Sequence, residues 1–185
     1  MIKEALLIVD VQYDFLEGGA LAVLNGNAVI PEILKVAPQF ETIILTQDWH
    51  PAGHKSFASS HPGKKPFDQI DWQGNTETLW PDHCIQNTDG SKIHPDILAL
   101  NPDVIIQKGT DIEIDSYSAF FDNGRKKQTG LNLWLKDHQI QKLVICGLAT
   151  DYCVKFTAVD AWELGYEVMV LNSCCRAINA MSKKT

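Results

Sequence analysis

The sequence has no long apolar run, no excess of positive charge and no even set of cysteines, and each lack excludes a class of protein. Its longest apolar stretches are short, as in Ala5 to Val9, whereas a membrane-spanning helix needs roughly 20 apolar residues. The N-terminus passes from Lys3-Glu4 into that short run and ends it at Asp10. A secretory signal would need a longer apolar region and a small-residue cleavage site. These absences predict a cytoplasmic protein with no membrane partner. Lys and Arg total 16 against 23 Asp and Glu, a formal net charge of -7. Such a field disfavours nucleic acid, which is bound largely through positive charge. The basic runs Arg125-Lys126-Lys127 and Lys183-Lys184 read as solvated surface. The cysteines are Cys84, Cys146, Cys153, Cys174 and Cys175, an odd number at irregular spacing. That pattern argues against a disulfide framework and fits a reducing compartment.

What is present suits one domain. A chain of 185 residues that is 45% hydrophobic can bury a full core, and no repeat, linker or low-complexity tract divides it. The whole of 1–185 is therefore expected to be a single domain. Five apolar runs are short, β-branched and continuous rather than alternating: Ala5–Val9, Thr42–Leu45, Val104–Ile106, Leu143–Cys146 and Val168–Leu171. Strands covered on both faces, as in a parallel sheet, read this way. Helical spacing lies between them. It involves Ile30, Ile33, Leu34 and Ala37 within 27–40, then Leu131, Trp134, Leu135 and His138, then Val154, Ala158, Ala161 and Trp162 within 151–164, with Gly165 as a C-terminal stop. The order predicts an α/β fold, a three-layer α-β-α domain around a central parallel sheet. One excursion, at about 48–102, is rich in Pro, Gly, Ser, Asn, His and Trp. It far exceeds the roughly six residues usual for such connections; loops of this length are commonly functional, with irregular surface the alternative for part of it.

Reactive residues cluster where these strands should end. Asp10 ends the first run, Asp48 and His50 follow the second, Lys108 follows the third and Cys153 lies just past the fourth. In an open parallel sheet those carboxyl ends gather around the ligand site. Each residue has a bland reading alone: a turn cap, a solvated lysine, a small buried helix residue. Their coincidence at four strand ends favours chemistry. Cys153 follows a strand-to-helix turn, Gly147 to Tyr152, where the helix dipole and free N–H groups should lower its pKa and could supply an oxyanion hole. Asp10 could then accept the thiol proton and Lys108 balance the charge. Cys146 lies inside a strand run and reads as core. A second constellation is the D-x-H pair Asp48 and His50, with His83 in Trp80-Pro81-Asp82-His83-Cys84. One carboxylate and two imidazoles make a sound divalent-metal set, but spacing alone does not choose the third ligand among His54, His61, His83, His94 and His138. His138, near a helix end, reads as structural.

Taken together, these motifs resemble the nicotinamidase/pyrazinamidase group of the isochorismatase-like cysteine hydrolases. The resemblance runs from Ala5 to about Asn179. It is carried by Leu7-Ile8-Val9-Asp10-Val11-Gln12-Tyr13-Asp14-Phe15, Gly18-Gly19-Ala20-Leu21, Thr46-Gln47-Asp48-Trp49-His50-Pro51, Ser56-Phe57-Ala58, Trp80–Cys84, Lys108-Gly109, Tyr117–Phe120 and Gly147–Val154. It implies a catalytic triad of Asp10, Lys108 and Cys153, and an oxyanion hole from the N–H groups of Ala149 and Cys153 across a cis Leu148–Ala149 peptide. The implied metal ligands are Asp48, His50 and His83, holding zinc, with iron or manganese as alternatives. The aromatic pocket falls on Phe15 and Trp80, with Trp49 and Tyr117 beside them. The implied substrate is nicotinamide, hydrolysed to nicotinate and ammonia in NAD salvage, with pyrazinamide as a second amide. Another cysteine amidase or isochorismatase-like hydrolase is the alternative, and the full metal triad argues against it. Two departures stand out. Tyr152 occupies a position where histidine is frequent, and its side chain is expected to point away from the pocket. The chain also stops soon after Cys174-Cys175-Arg176-Ala177, where relatives continue into another helix. That affects stability and oligomeric contacts, with monomer and homo-oligomer both open, more than chemistry.

Overall fold

The computed structural model describes residues 2–178. The early end of the chain, before the further helix of its relatives, falls outside the described residues. Five parallel strands form the central sheet: β1 (Glu4–Val9), β2 (Ile43–Asp48), β5 (Val104–Lys108), β6 (Lys142–Leu148) and β7 (Glu167–Arg176). All five apolar runs fall on them, the second overhanging the start of β2 by Thr42 alone. Their order across the sheet is β5-β2-β1-β6-β7. From Ala5 to Val9 every residue of β1 is buried, because a central strand is covered on both faces and has no polar side to alternate with.

The connections alternate with helices. These are α1 (Val29–Val36), α2 (Pro95–Leu98), α3 (Leu131–Asp137) and α4 (Lys155–Glu163). From β1 the chain steps outward through β2 to β5, then crosses back to β6 and out to β7. Right-handed crossovers in the two directions place α1 and α2 on one face and α3 and α4 on the other. α1 turns Ile30 and Ile33 into the core, and α3 does the same with Leu131 and Leu135. α4 differs from its expected stripe. Val154 and Ala161 are buried, but Trp162 is 71% exposed, and the inward face is completed by Thr157 and Asp160. Its C-terminus closes as read. Gly165 takes φ +92°, its N–H bonds to the Trp162 carbonyl, and Tyr166 N–H bonds to that of Ala161, the paired bonding of a Schellman end.

The excursion at 48–102 contains one hairpin that the sequence pattern did not announce, β3 (Gln69–Trp72) with β4 (Asn75–Thr78). Its strands are largely polar on both faces, so no apolar alternation signals them. The turn residues Gln73 and Gly74 both have positive φ, +50° and +85°, as a two-residue hairpin of the primed type requires.

Candidate active site and metal centre

The strand order reverses direction between β1 and β6, which makes the crevice beyond their carboxyl ends the natural ligand site. Asp10 leaves β1 on one side of this crevice, and the turn to Cys153 leaves β6 on the other. Asp48 and Lys108 are the last residues of β2 and β5 and stand opposite each other in register. The four strand ends thus deliver the four reactive side chains together, as their places in the sequence implied.

Lys108 is the hub. Its Nζ lies 2.9 Å from Asp10 Oδ2, 2.9 Å from Asp48 Oδ1, 3.0 Å from the Ser116 carbonyl and 3.4 Å from Cys153 Sγ. It is 1% exposed. Burial opposes its charge, but the two carboxylates more than offset that and hold its pKa well above the ordinary lysine value. Burial also raises the Asp10 carboxyl, against the pull of Lys108. Cys153 departs from the expected direction. Burial pushes the thiol well above its usual range, and Lys108 recovers only part of this. Burial thus favours the thiol over the thiolate, and Asp10 is the carboxylate placed to accept its proton.

The metal ligands come from two segments of the excursion. The His50 N–H bonds to the Cys84 carbonyl, and Gln86 N–H returns a bond to the His50 carbonyl. This short parallel bridge sets Trp80–Cys84 against the D-x-H turn, which selects His83 from the six histidines. Donor atoms of Asp48, His50 and His83 lie within 4.8 Å of one another, all buried. His50 Nε2 is 3.0 Å and His83 Nε2 3.5 Å from Asp48 Oδ2. In both rings Nδ1 faces a carbonyl, Gly109 at 3.0 Å for His50 and Pro81 at 2.8 Å for His83. A carbonyl only accepts, so each Nδ1 carries a proton, and Nε2 is the nitrogen left facing the carboxylate, where a metal would take the place of its proton. Burial disfavours charge on His50, yet Asp48 raises its pKa to about 9. A pocket that draws a proton so strongly is chemically suited to a cation instead, and this donor set fits a divalent metal. Gly109 is required by the same packing. It has φ +64°, and a Cβ there would lie 2.5 Å from His50 Cε1. A second convergent set, His50, His54 and Asp115, shares His50.

Gln12 holds Asp48 in place. Its side-chain amide accepts from Asp48 N–H at 2.8 Å and donates to the carbonyls of Asp48 and Ser91 at 2.8 and 2.9 Å. The residue is fully buried, so Gln12→Leu would take a partner from the Asp48 N–H and from the Asp48 carbonyl, while the Ser91 carbonyl keeps its bond from Gln47 Nε2 at 2.9 Å. At about 1–3 kcal/mol for a buried group left unpaired, the urea midpoint should fall by an amount equivalent to at least ~2 kcal/mol. Metal content measured on the folded variant should fall with it. An unchanged midpoint would refute the clamp.

A partly open cavity reaches the thiol. Phe15, Trp80, Tyr117, Asp48, His83, Ala149 and Cys153 line it, as do Leu21, Asp115, Tyr152 and Ile178. Trp80 Nε1 donates to Tyr117 Oη at 3.2 Å. Trp49 is not in this lining; its main chain serves the fold, donating to the Lys108 carbonyl and accepting from Gln86. Tyr152 was expected to point away and does not. Its ring packs perpendicular to Trp80 at 4.8 Å and forms part of the cavity wall, because the first turn after Ala149 is wound as a π-helix, Thr150–Val154. The Leu148–Ala149 peptide is cis. His138 is exposed at the end of α3, with Nδ1 on the Trp134 carbonyl.

Comparison with known proteins places this geometry among relatives. The family model described as the isochorismatase domain matches residues 4–185. The nicotinamidase of Escherichia coli (strain K12) is 47% identical over 183 residues, covering 97% of this chain and 85% of that protein. A structure titled as an Acinetobacter baumanii nicotinamidase and pyrazinamidase superposes with a TM-score of 0.94 at 43% identity, covering 98% of this chain and 87% of that one. The pyrazinamidase of Pyrococcus horikoshii, solved in complex with zinc, gives a TM-score of 0.74 at 35% identity, with 96% and 88% covered.

Proposed function

The chain belongs to the isochorismatase family, and from that premise we propose that it hydrolyses nicotinamide to nicotinate and ammonia through a thioester on Cys153. Pyrazinamide is a second substrate of the same chemistry, and the product nicotinate feeds NAD salvage. The observation that carries this reading is the buried contact of Lys108 with Asp10, Asp48 and the Cys153 sulfur beside an aromatic-walled cavity. Phe15, Trp80 and Tyr117 enclose the flat ring, and the carboxamide faces Sγ. Asp10 takes the thiol proton, and the sulfur attacks the amide carbon. The N–H groups of Ala149 and Cys153 receive the developing oxyanion. Asp10 returns the proton to the nitrogen, the C–N bond breaks and ammonia leaves. Water then attacks the thioester with Asp10 as base, Asp10 passes that proton to the sulfur as the S–C bond breaks, and the product acid leaves as nicotinate after giving its proton to solvent. Lys108 stays protonated throughout and balances whichever of Asp10 or Cys153 carries negative charge.

Asp48, His50 and His83 would hold one divalent ion, which the zinc of the Pyrococcus horikoshii relative favours as Zn2+ over Fe2+ or Mn2+. When bound, it supplies a Lewis-acid contact for the pyridine nitrogen and so orients the ring. Among the described residues no helix is long and apolar enough to cross a membrane. The five cysteines are all free, which supports a cytoplasmic setting.

The decisive experiment measures ammonia from nicotinamide and from benzamide, before and after chelation. Nicotinamide should turn over readily and benzamide, which lacks the ring nitrogen, far more slowly. A placement error of ~1 Å can cost a hundredfold, so chelation should depress nicotinamide turnover and shrink the preference. Zinc-supplemented protein that released no ammonia from either nicotinamide or pyrazinamide would overturn the proposal.

A further inference from the structure

Asp10 carries two chemically equivalent oxygens in unequal surroundings. Oδ1 lies 2.5 Å from Thr46 Oγ1, and the same Oγ1 lies 3.1 Å from the Asp10 main-chain nitrogen. Proton count fixes both directions. The amide can only donate, so the threonine oxygen accepts from it, and the single hydroxyl proton is left for the carboxylate. Thr46 is 1% exposed, so no bulk water competes for that proton. Oδ2 is treated differently. Lys108 Nζ is 2.9 Å away as its ion-pair partner, and no hydroxyl or main-chain amide is committed to it. The three ammonium protons are matched instead by Asp48 Oδ1, the Ser116 carbonyl and Cys153 Sγ. Oδ2 is thus paired in charge while its lone pairs stay available.

We infer that Thr46 is a positioning residue for proton transfer: its hydroxyl commits Oδ1 of Asp10 as an acceptor and presents Oδ2 as the oxygen that exchanges the proton with Cys153 and the departing nitrogen. The inference rests on the amidohydrolase reading above. The balance is closed. The S–H proton passes to Oδ2 as the S–C bond forms, and the nitrogen takes it back as the C–N bond breaks. Asp10 returns to the carboxylate with no outside reagent. A hydroxyl is needed because it offers acceptor and donor together within the reach of one residue. Threonine two residues before the end of β2, one strand over from Asp10, puts it there.

The test separates this role from a mere tie between β1 and β2. Thr46→Val keeps the branched shape and removes the hydroxyl. Nicotinamide needs a proton on its leaving nitrogen, whereas the trifluoroethyl ester of nicotinic acid releases a weakly basic alkoxide and needs that proton far less. In Thr46→Val, kcat for nicotinamide should fall at least ~10-fold, a fraction of the ~10²–10⁴ supplied by a positioned acid–base group, with KM within about twofold; the ester should also slow, because its acylation still passes the thiol proton to Oδ2, but by a clearly smaller factor than the amide. Thr46→Ser should recover most of the lost amide turnover. Should Thr46→Val not fold, Thr46→Ala against Thr46→Ser makes the same comparison on a smaller frame. Unchanged amide turnover, equal losses on amide and ester, or a serine variant no better than valine would each overturn the inference. Wild-type protein inactive on nicotinamide would overturn the amidohydrolase reading itself, whereas an active wild type with an unaffected Thr46→Val overturns only the role of Thr46.

Discussion

Cys153→Ala is expected to lose nicotinamide turnover by at least ~10³-fold, the scale of removing a covalent nucleophile, while folding as stably as the parent to within about 1 kcal/mol. The chemistry has no substitute for that sulfur. Among the described residues it is the thiol in contact with Lys108, at 3.4 Å, and it borders the cavity. Water could enter the alanine variant, but it would lack the thioester route that splits one hard displacement into two easier ones. The neighbouring thiol offers the control. Cys84 is fully buried behind His83, burial holds its proton on, and its main-chain N–H is fixed to Asp14 Oδ2 at 2.7 Å. That bond survives truncation of the side chain, so Cys84→Ala should keep most activity. Ammonia release by stopped assay, with circular dichroism confirming the fold, decides between them. Substantial turnover by Cys153→Ala, or its loss in Cys84→Ala alone, would mean that the wrong thiol had been assigned.

The proton inventory around Cys153 explains why the helix-terminus argument from sequence pointed the wrong way for its pKa. That argument counted the dipole and the free N–H groups. It did not count desolvation, which dominates once the thiol is 7% exposed and shares its surroundings with Asp10 and Asp48. A thiol kept neutral at rest makes Asp10 indispensable as a base rather than an accessory.

The sheet was legible because burial on both faces writes itself into sequence as an unbroken apolar run. β1, β2 and β6 are buried in this way, whereas the edge strands β5 and β7 carry apolar runs as well but leave Ile105 and Met169 exposed. The hairpin β3–β4 was not, since its residues are partly exposed and mixed in polarity. Trp162 misled for a related reason: helical spacing shows that residues share a face, not which face meets the sheet. At the site, Asp10, Asp48, Lys108 and Cys153 could be placed by strand ends alone. His83 needed the bridge from His50 to Ile85, a contact between loop segments that no periodicity records. Thr46 and Gln12 left no trace as single residues. Each acts across 36 positions of sequence on a partner that only strand pairing brings near. Tyr152 depended on the winding of one helical turn.

Lys108→Met should be the most damaging single change, because it strikes stability and turnover together. The ammonium is the counter-charge of two carboxylates that are both essentially buried, Asp10 at 0% and Asp48 at 3% exposure. Methionine fills similar volume but leaves them facing each other unpaired. Breaking a buried pair by removing one partner costs about 3–5 kcal/mol. One carboxyl will take up a proton to relieve the repulsion, and Asp10, already raised by burial and by the charge of Asp48, is the one to do so. A protonated Asp10 cannot act as base for Cys153, so turnover should fall by at least ~10³-fold even in the folded fraction, beyond the ~10²–10⁴ range's lower end for losing acid–base catalysis alone. Lys108→Arg should not rescue it. The planar guanidinium is larger than the ammonium, and the pocket it would enter is closed by Asp48, Ser116 and Cys153 within 3.4 Å of Nζ. Two measurements check the argument, the urea midpoint and ammonia release under conditions where the variant is folded. A variant with near-parental stability would show that the carboxylates do not depend on Lys108, and near-parental turnover at neutral pH would remove it from the mechanism.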